Sequence, residues 1–157
     1  MWAAQGITES SRGFRTSPSA SATFPMEIYA VVTKVGEREQ GLYHYQIGNH
    51  TLEQKISGDL RGPLPEGALM QEWLSQAAAI IVVSADYSRA TARYGERGFR
   101  NLHIKAGHVG QNLALQAIAR GLGTNMVGAF YDEQLSEILN FSQNLDPLHI
   151  IPVGHPR

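Results

Sequence analysis

The chain has 157 residues, enough for a single domain spanning 1–157 that buries about 70 % of its unfolded surface. Apolar residues make up 43 % and charged residues 17 %, which excludes a disordered chain or a solvated helical rod. A net charge of −1 gives no bulk attraction to nucleic acid or anionic lipid, and the lack of cysteine excludes disulfides, thiol nucleophiles and iron–sulfur clusters.

Residues 1–25 hold eight Ser or Thr and two Pro, a composition suited to a disordered terminus. Trp2 and Phe14 argue against that, since both are poor residues to leave in water. The opening Met1-Trp2-Ala3-Ala4-Gln5-Gly6 lacks the basic region and apolar core of a leader. The longest apolar run, 77–83, is far short of a membrane span. A soluble, cytoplasmic protein is the expectation.

Residues 27–33 read as a strand, rich in β-branched and aromatic side chains, and 41–46 as a second one. Gly48 and Asn49 mark a turn, and 50–56 returns as a short strand or the start of a helix. A helix is expected from about Pro65 and Glu66, where Leu69, Trp73, Gln76 and Ala77 recur at helical spacing. The apolar run 79–84 predicts a strand covered on both faces. Residues 87–94 fit a helix ending near Gly95. The longest helix is expected over 98–120, with Gly121 as its cap. Phe99, Leu102, Ala106, Val109, Leu113 and Ala117 form one apolar stripe of that helix, and Ile104, Leu115 and Ile118 a second. Residues 125–130 look like another buried strand, 133–139 a short helix capped by Asp132, and 148–153 a last strand. The order is mixed rather than regularly alternating, so an α+β fold is favoured.

Phosphate loops and nucleophile elbows have no match. Gly121-Leu122-Gly123 sits between helix and strand, the wrong order for a dinucleotide fingerprint. None of the six histidines pairs at metal-ligand spacing, so no metal site is expected. The informative segment is 15–25, where an Arg is followed by hydroxyls and small residues leading into a strand. Such a loop can bring amides and short hydroxyls to a planar polar ligand, or it can be a Ser-rich linker.

Arg15-Thr16-Ser17-Pro18-Ser19-Ala20-Ser21-Ala22-Thr23-Phe24-Pro25-Met26-Glu27-Ile28-Tyr29 resembles R-x-x-P-S-A-G-A-x-Y-P-x-E-x-Y, a pattern of the nitroreductase superfamily in its branch related to SagB-type dehydrogenases. Gly41-Leu42-Tyr43-His44-Tyr45, the run from Arg93 to Arg100, Ala106-Gly107-His108-Val109-Gly110-Gln111-Asn112-Leu113 and Pro152-Val153-Gly154 are similar to further motifs, in family order. The resemblance implies a mixed or antiparallel sheet flanked by helices and an intertwined homodimer. It also implies FMN in a groove between the subunits and two-electron transfer from NAD(P)H to an organic acceptor.

Carried onto this chain, the resemblance assigns Arg15, Ser17, Pro18, Ser19 and Ser21 to the ribityl and pyrimidine side of FMN, with Ser21 standing where the family commonly has Gly. Gln71 is a candidate for the pyrimidine edge, Val127, Gly128 and Ala129 for the backbone that meets the flavin ring, and Arg157 for the phosphate. Arg93-Tyr94 corresponds to a Lys-Tyr pair associated with base chemistry in azoline oxidases. A guanidinium stays protonated, which leaves Tyr94 as the candidate catalytic proton donor. The family carries a helix and an arginine motif before the Trp2-Ala3-Ala4-Gln5-Gly6 element. Five residues alone do not sustain a helix. Loss of those arginines would weaken FMN binding by roughly tenfold to ten-thousandfold. Alternatives are a non-catalytic module of the same fold and a subunit completed by a separate partner.

Overall fold

The computed structural model describes residues 1–156. Its centre is a six-stranded sheet. In chain order its strands are β3 (Met26–Val32), β4 (Gly41–Gln46), β5 (Thr51–Ser57), β6 (Ala79–Asp86), β7 (Gly123–Thr124) and β8 (Leu145–Gly154). The order across the sheet is β5-β4-β3-β6-β8-β7 and every neighbouring pair is antiparallel. Before them, β1 (Ile7–Glu9) and β2 (Phe14–Arg15) make a separate two-stranded ribbon.

Alternation sends the two sides of each central strand into different cores. Met26, Ile28 and Ala30 of β3 and Ile81, Val83 and Ala85 of β6 pack with Leu102, Ala106, Val109 and Leu113 of α4 (Arg97–Ala119). Val31, Ile80, Val82 and Ile150 face the other way. They meet Leu64 of α2 (Pro63–Gly67), Leu74 of a 3₁₀ turn (Glu72–Gln76) and Leu135 of α5 (Asp132–Ile138). α3 (Tyr87–Tyr94) is capped by Asp86, whose carboxylate accepts from the Ser88 amide. Gly121 takes φ +69° after α4, the left-handed position expected of a glycine that ends a helix. Among the described residues no helix is long and apolar enough to cross a membrane.

Four expectations change. Residues 1–25 are ordered, and α1 (Trp2–Gln5) forms despite its length because Ala4 and Gln5 are fully buried and the element packs on α4. The expected helix from Pro65 through Ala77 is broken. The Gly67 carbonyl accepts from the Tyr131 amide at 2.8 Å instead of continuing the helix, and Leu69 and Met70 both take positive φ. Trp73, which shares the helical spacing of Leu69 and Ala77, is 42 % exposed. Residues 125–130 are not a strand. Val127 exchanges both backbone bonds with Ile150, so the next bonded pair in register is Asn125 with Pro152, and Pro152 has no N–H to give. Of the two stripes on α4, only the first is buried, and that from Leu102 onward. Phe99, Ile104, Leu115 and Ile118 are exposed, Ile118 at 70 %.

Candidate functional site

The loop 15–24 is fastened to the helices beneath it. Arg15, at the end of β2, donates to Gln5 Oε1 at 3.1 Å, and its guanidinium lies 3.7 Å from the Phe24 ring centroid. Asn112 Nδ2 donates to the Thr16 carbonyl at 3.0 Å, and Lys105 Nζ donates to the Pro18 carbonyl at 3.2 Å. Ser19 Oγ accepts from the Phe24 amide at 2.9 Å. Ser21 Oγ and Tyr94 Oη are 2.5 Å apart, so the candidate proton donor sits on the candidate flavin loop. Arg89 reaches the Phe24 carbonyl at 3.3 Å while pairing with Glu27 at 2.6 Å, and Glu27 also meets His44 at 2.8 Å. Burial raises the Glu27 carboxyl, but the His44 and Arg89 hydrogen bonds more than offset it and hold it below its ordinary value.

Ser21, Ala22 and Phe24 have φ of 46°, 52° and 42°. Non-glycine residues there cost on the order of 1–2 kcal/mol each. The position at which the family pattern has Gly is therefore left-handed here, and Ser21 keeps the conformation at a cost. Underneath, a void of about 10 Å³ lined by Ser19, Tyr94, Leu102 and Lys105 leaves no room for an organic ligand. A ligand of this loop lies on its outer side. Ser17 is 1 % exposed and its Oγ has no hydrogen-bond partner, an orphan that an incoming polar atom would satisfy.

A second cluster forms elsewhere. Gln71 Nε2 donates to both the Ala68 and Ala129 carbonyls at 2.8 Å, so its amide nitrogen is spent tying two loops together and only Oε1 is left for a ligand. Val127 is buried and bonded to Ile150. Gly128 has open space where a Cβ would stand, which leaves its backbone approachable. A cavity of about 300 Å³ adjoins, lined by Trp73, Gln76, Thr124, Asn125, Gly154 and His155, and Thr124 Oγ1 is buried without a partner. Arg157 lies outside the described residues. The first cluster belongs to the α4 side of the sheet, and Val127 packs on the α2 and α5 side. Among the described residues no hydrogen bond joins the two.

Lys105 was absent from the sequence reading. It is 3 % exposed, and burial followed by the charge of Arg15 pushes its ammonium down to about 8. A signal existed: Lys105 falls between Leu102 and Val109 on the apolar stripe, where a cation needs an explanation. Gln5, which also donates to the Met26 carbonyl, was missed as an anchor of the loop. No metal-binding group of acidic or histidine side chains occurs among the described residues.

An antiparallel sheet between two helical layers, with an anchored hydroxyl loop at one side, defines an α+β fold. Residues 1–155 match the Nitroreductase family, and the chain belongs to that family. It is 42 % identical over 154 residues to a Methanocaldococcus jannaschii protein assigned by name to the nitroreductases, covering 98 % of this chain and 76 % of that one. It is 28 % identical to the trifolitoxin operon protein TfxC of Rhizobium leguminosarum, covering 90 % of this chain and 40 % of the relative. A crystal structure from Anabaena variabilis, named for the same family, superposes with TM-score 0.86 at 33 % identity, over 99 % of this chain and 32 % of that one. Two structures share the fold at lower identity. The Escherichia coli microcin synthetase McbBCD complex matches at TM-score 0.85 and 22 % identity, over 99 % of this chain and 61 % of the other. The NADPH:FMN oxidoreductase of Vibrio harveyi matches at 0.63 and 21 %, over 89 % and 54 %.

Proposed function

We propose that the chain is a cytoplasmic FMN-dependent oxidoreductase that moves two electrons from NAD(P)H to an organic acceptor and works as a homodimer. The observation that carries this is the loop 15–24: left-handed at the glycine position, tied from below by Gln5, Lys105 and Asn112, and keeping a buried Ser17 hydroxyl without a partner. The NADPH:FMN oxidoreductase of similar fold supports the choice of flavin. FMN supplies the redox chemistry when bound. Arg15, Ser17, Pro18, Ser19 and Ser21 hold its pyrimidine and ribityl side. Arg15 keeps a fixed positive charge where negative charge develops, and so favours the reduced state. Gly128, flanked by Val127 and Ala129, offers a bare backbone to the ring, Gln71 Oε1 accepts from its edge, and Arg157 meets the phosphate. Tyr94 holds a proton beside Ser21.

The two clusters belong to different sides of one sheet, so a second copy supplies the missing half. The exposed Phe99, Ile104, Leu115 and Ile118 of α4 are the surface such a copy covers. The net charge of −1 supports a dimer without bulk affinity for nucleic acid. To test this, the purified protein is titrated with FMN, and its visible absorbance and NAD(P)H oxidation are recorded. Flavin uptake with turnover is expected; protein that remains colourless in excess FMN ends the proposal. A second reading, within the SagB-type branch, is a subunit completed by a partner. It is favoured by the likeness to a microcin synthetase complex and to a trifolitoxin operon protein. Activity that appears only with such a partner would select it.

A further inference from the structure

Lys105 is a buried amine without an acid. Its Nζ donates to the Pro18 carbonyl, lies 5.1 Å from the Phe24 ring centroid, and shares that ring with the Arg15 guanidinium. Among the described residues no carboxylate stands within ion-pair distance of it. An unpaired charge in such a place is destabilising unless it is hydrated or loses its proton. What keeps water out is the loop 16–24, which carries three non-glycine residues at positive φ. A strained cover thus lies over a group that gains from exposure.

We propose that residues 16–24 form a proton-gated latch: the loop lies closed over Lys105 in its neutral form and opens to hydrate the ammonium when Lys105 takes up a proton. The groups that face Lys105 do not supply the missing negative charge. Arg15 repels it from the loop, and Tyr94 of α3 lines the same small void. Glu27, Arg89 and Tyr45 act on Arg15 from β3, α3 and β4, and Glu27 is engaged by Arg89 and His44. On its own helix the nearest titratable neighbours are His103 and His108.

The sign follows from linkage. A lysine whose proton is held less tightly in the closed loop than in water favours closure as pH rises. With a closed-state value of about 8 against 10.5 in water, the open-to-closed ratio falls about tenfold between pH 7 and pH 9. The consequence for cofactor affinity rests on the flavin reading above; loop order does not.

The experiment is amide hydrogen exchange of the protein without added FMN, corrected for intrinsic rates and read at Ala22, Thr23 and Phe24, whose amides are bonded within the loop. Wild type is expected to gain about tenfold protection from pH 7 to pH 9. K105M and K105Q, which carry no proton, are expected to be flat, and Y94F is expected to keep the full change. A wild-type profile flat within twofold, persistence of the change in K105M or K105Q, or its loss in Y94F overturns the latch. An FMN titration at both pH values separates the two ideas. A latch that gates exchange while FMN fails to bind sinks the flavin reading alone.

Discussion

Ser21 separates two contributions that usually travel together, a hydrogen bond and a strained backbone. Its hydroxyl meets Tyr94 at 2.5 Å, while its φ of 46° penalises any side chain bearing a Cβ. Ser21→Ala removes the bond and keeps the strain. For a bond exposed to solvent the loss is about 0.5–1 kcal/mol. Ser21→Gly also removes the bond but relieves about 1–2 kcal/mol of left-handed strain, and gives back about 0.5–1 kcal/mol as unfolded-state entropy. S21A is therefore destabilised and S21G is near wild type. Tyr94→Phe reproduces S21A, and the double variant S21A/Y94F is no worse than either single one, because the pair loses one shared bond. Urea unfolding resolves this, since 1 kcal/mol moves the midpoint by about 0.3–1 M. If S21G falls further than S21A, the strain relieved at this position is smaller than the entropy that glycine adds, and the account of this loop is wrong.

Four further outcomes follow from the packing and charges. Leu135→Ala empties a fully buried site and is expected to lose about 2–5 kcal/mol. Ile118→Asp leaves the monomer within about 0.5 kcal/mol but shifts the proposed dimer to monomer in sedimentation; a stable dimer of this variant moves the interface elsewhere. Gly98→Ala places a Cβ 2.8 Å from the Ala90 backbone at the junction of α3 and α4, for a loss of about 1–3 kcal/mol by thermal melting. Glu27 has a folded pKa below its unfolded value of 4.5, so its contribution is present above that value and disappears as pH falls through the folded one. Urea midpoints between pH 6 and pH 3 should therefore decline more steeply in wild type than in Glu27→Gln, and parallel curves would refute this.

How legible each element was depended on whether its pattern was local. β6 is apolar at every position but its last few because both faces are covered, and a run of that kind needs no partner to be recognised. α3 announced its end with Gly95. The broken segment 63–77 was misread because Gly67 gives its carbonyl to Tyr131, sixty-four residues on, and no local periodicity reports that. The same holds for Asn125, whose missing bond is decided by Pro152 across the sheet. In the candidate site, the hydroxyls of 15–24 stood out by composition. Their anchors Gln5 and Lys105 did not, because each matters only through the carbonyl or guanidinium it meets.

The gap in the ladder opposite Pro152 also determines where the sheet can grow. β7 is two residues long, and beyond it the margin offers no continuous row of donors and acceptors to another chain. At the far margin, β5 carries exposed Glu53 and Lys55, so a stacking strand would have to bury or match both charges. One margin is interrupted and the other is charged, which protects the protein against runaway fibre formation while leaving the greasy outer surface of α4 free for a finite, closed association.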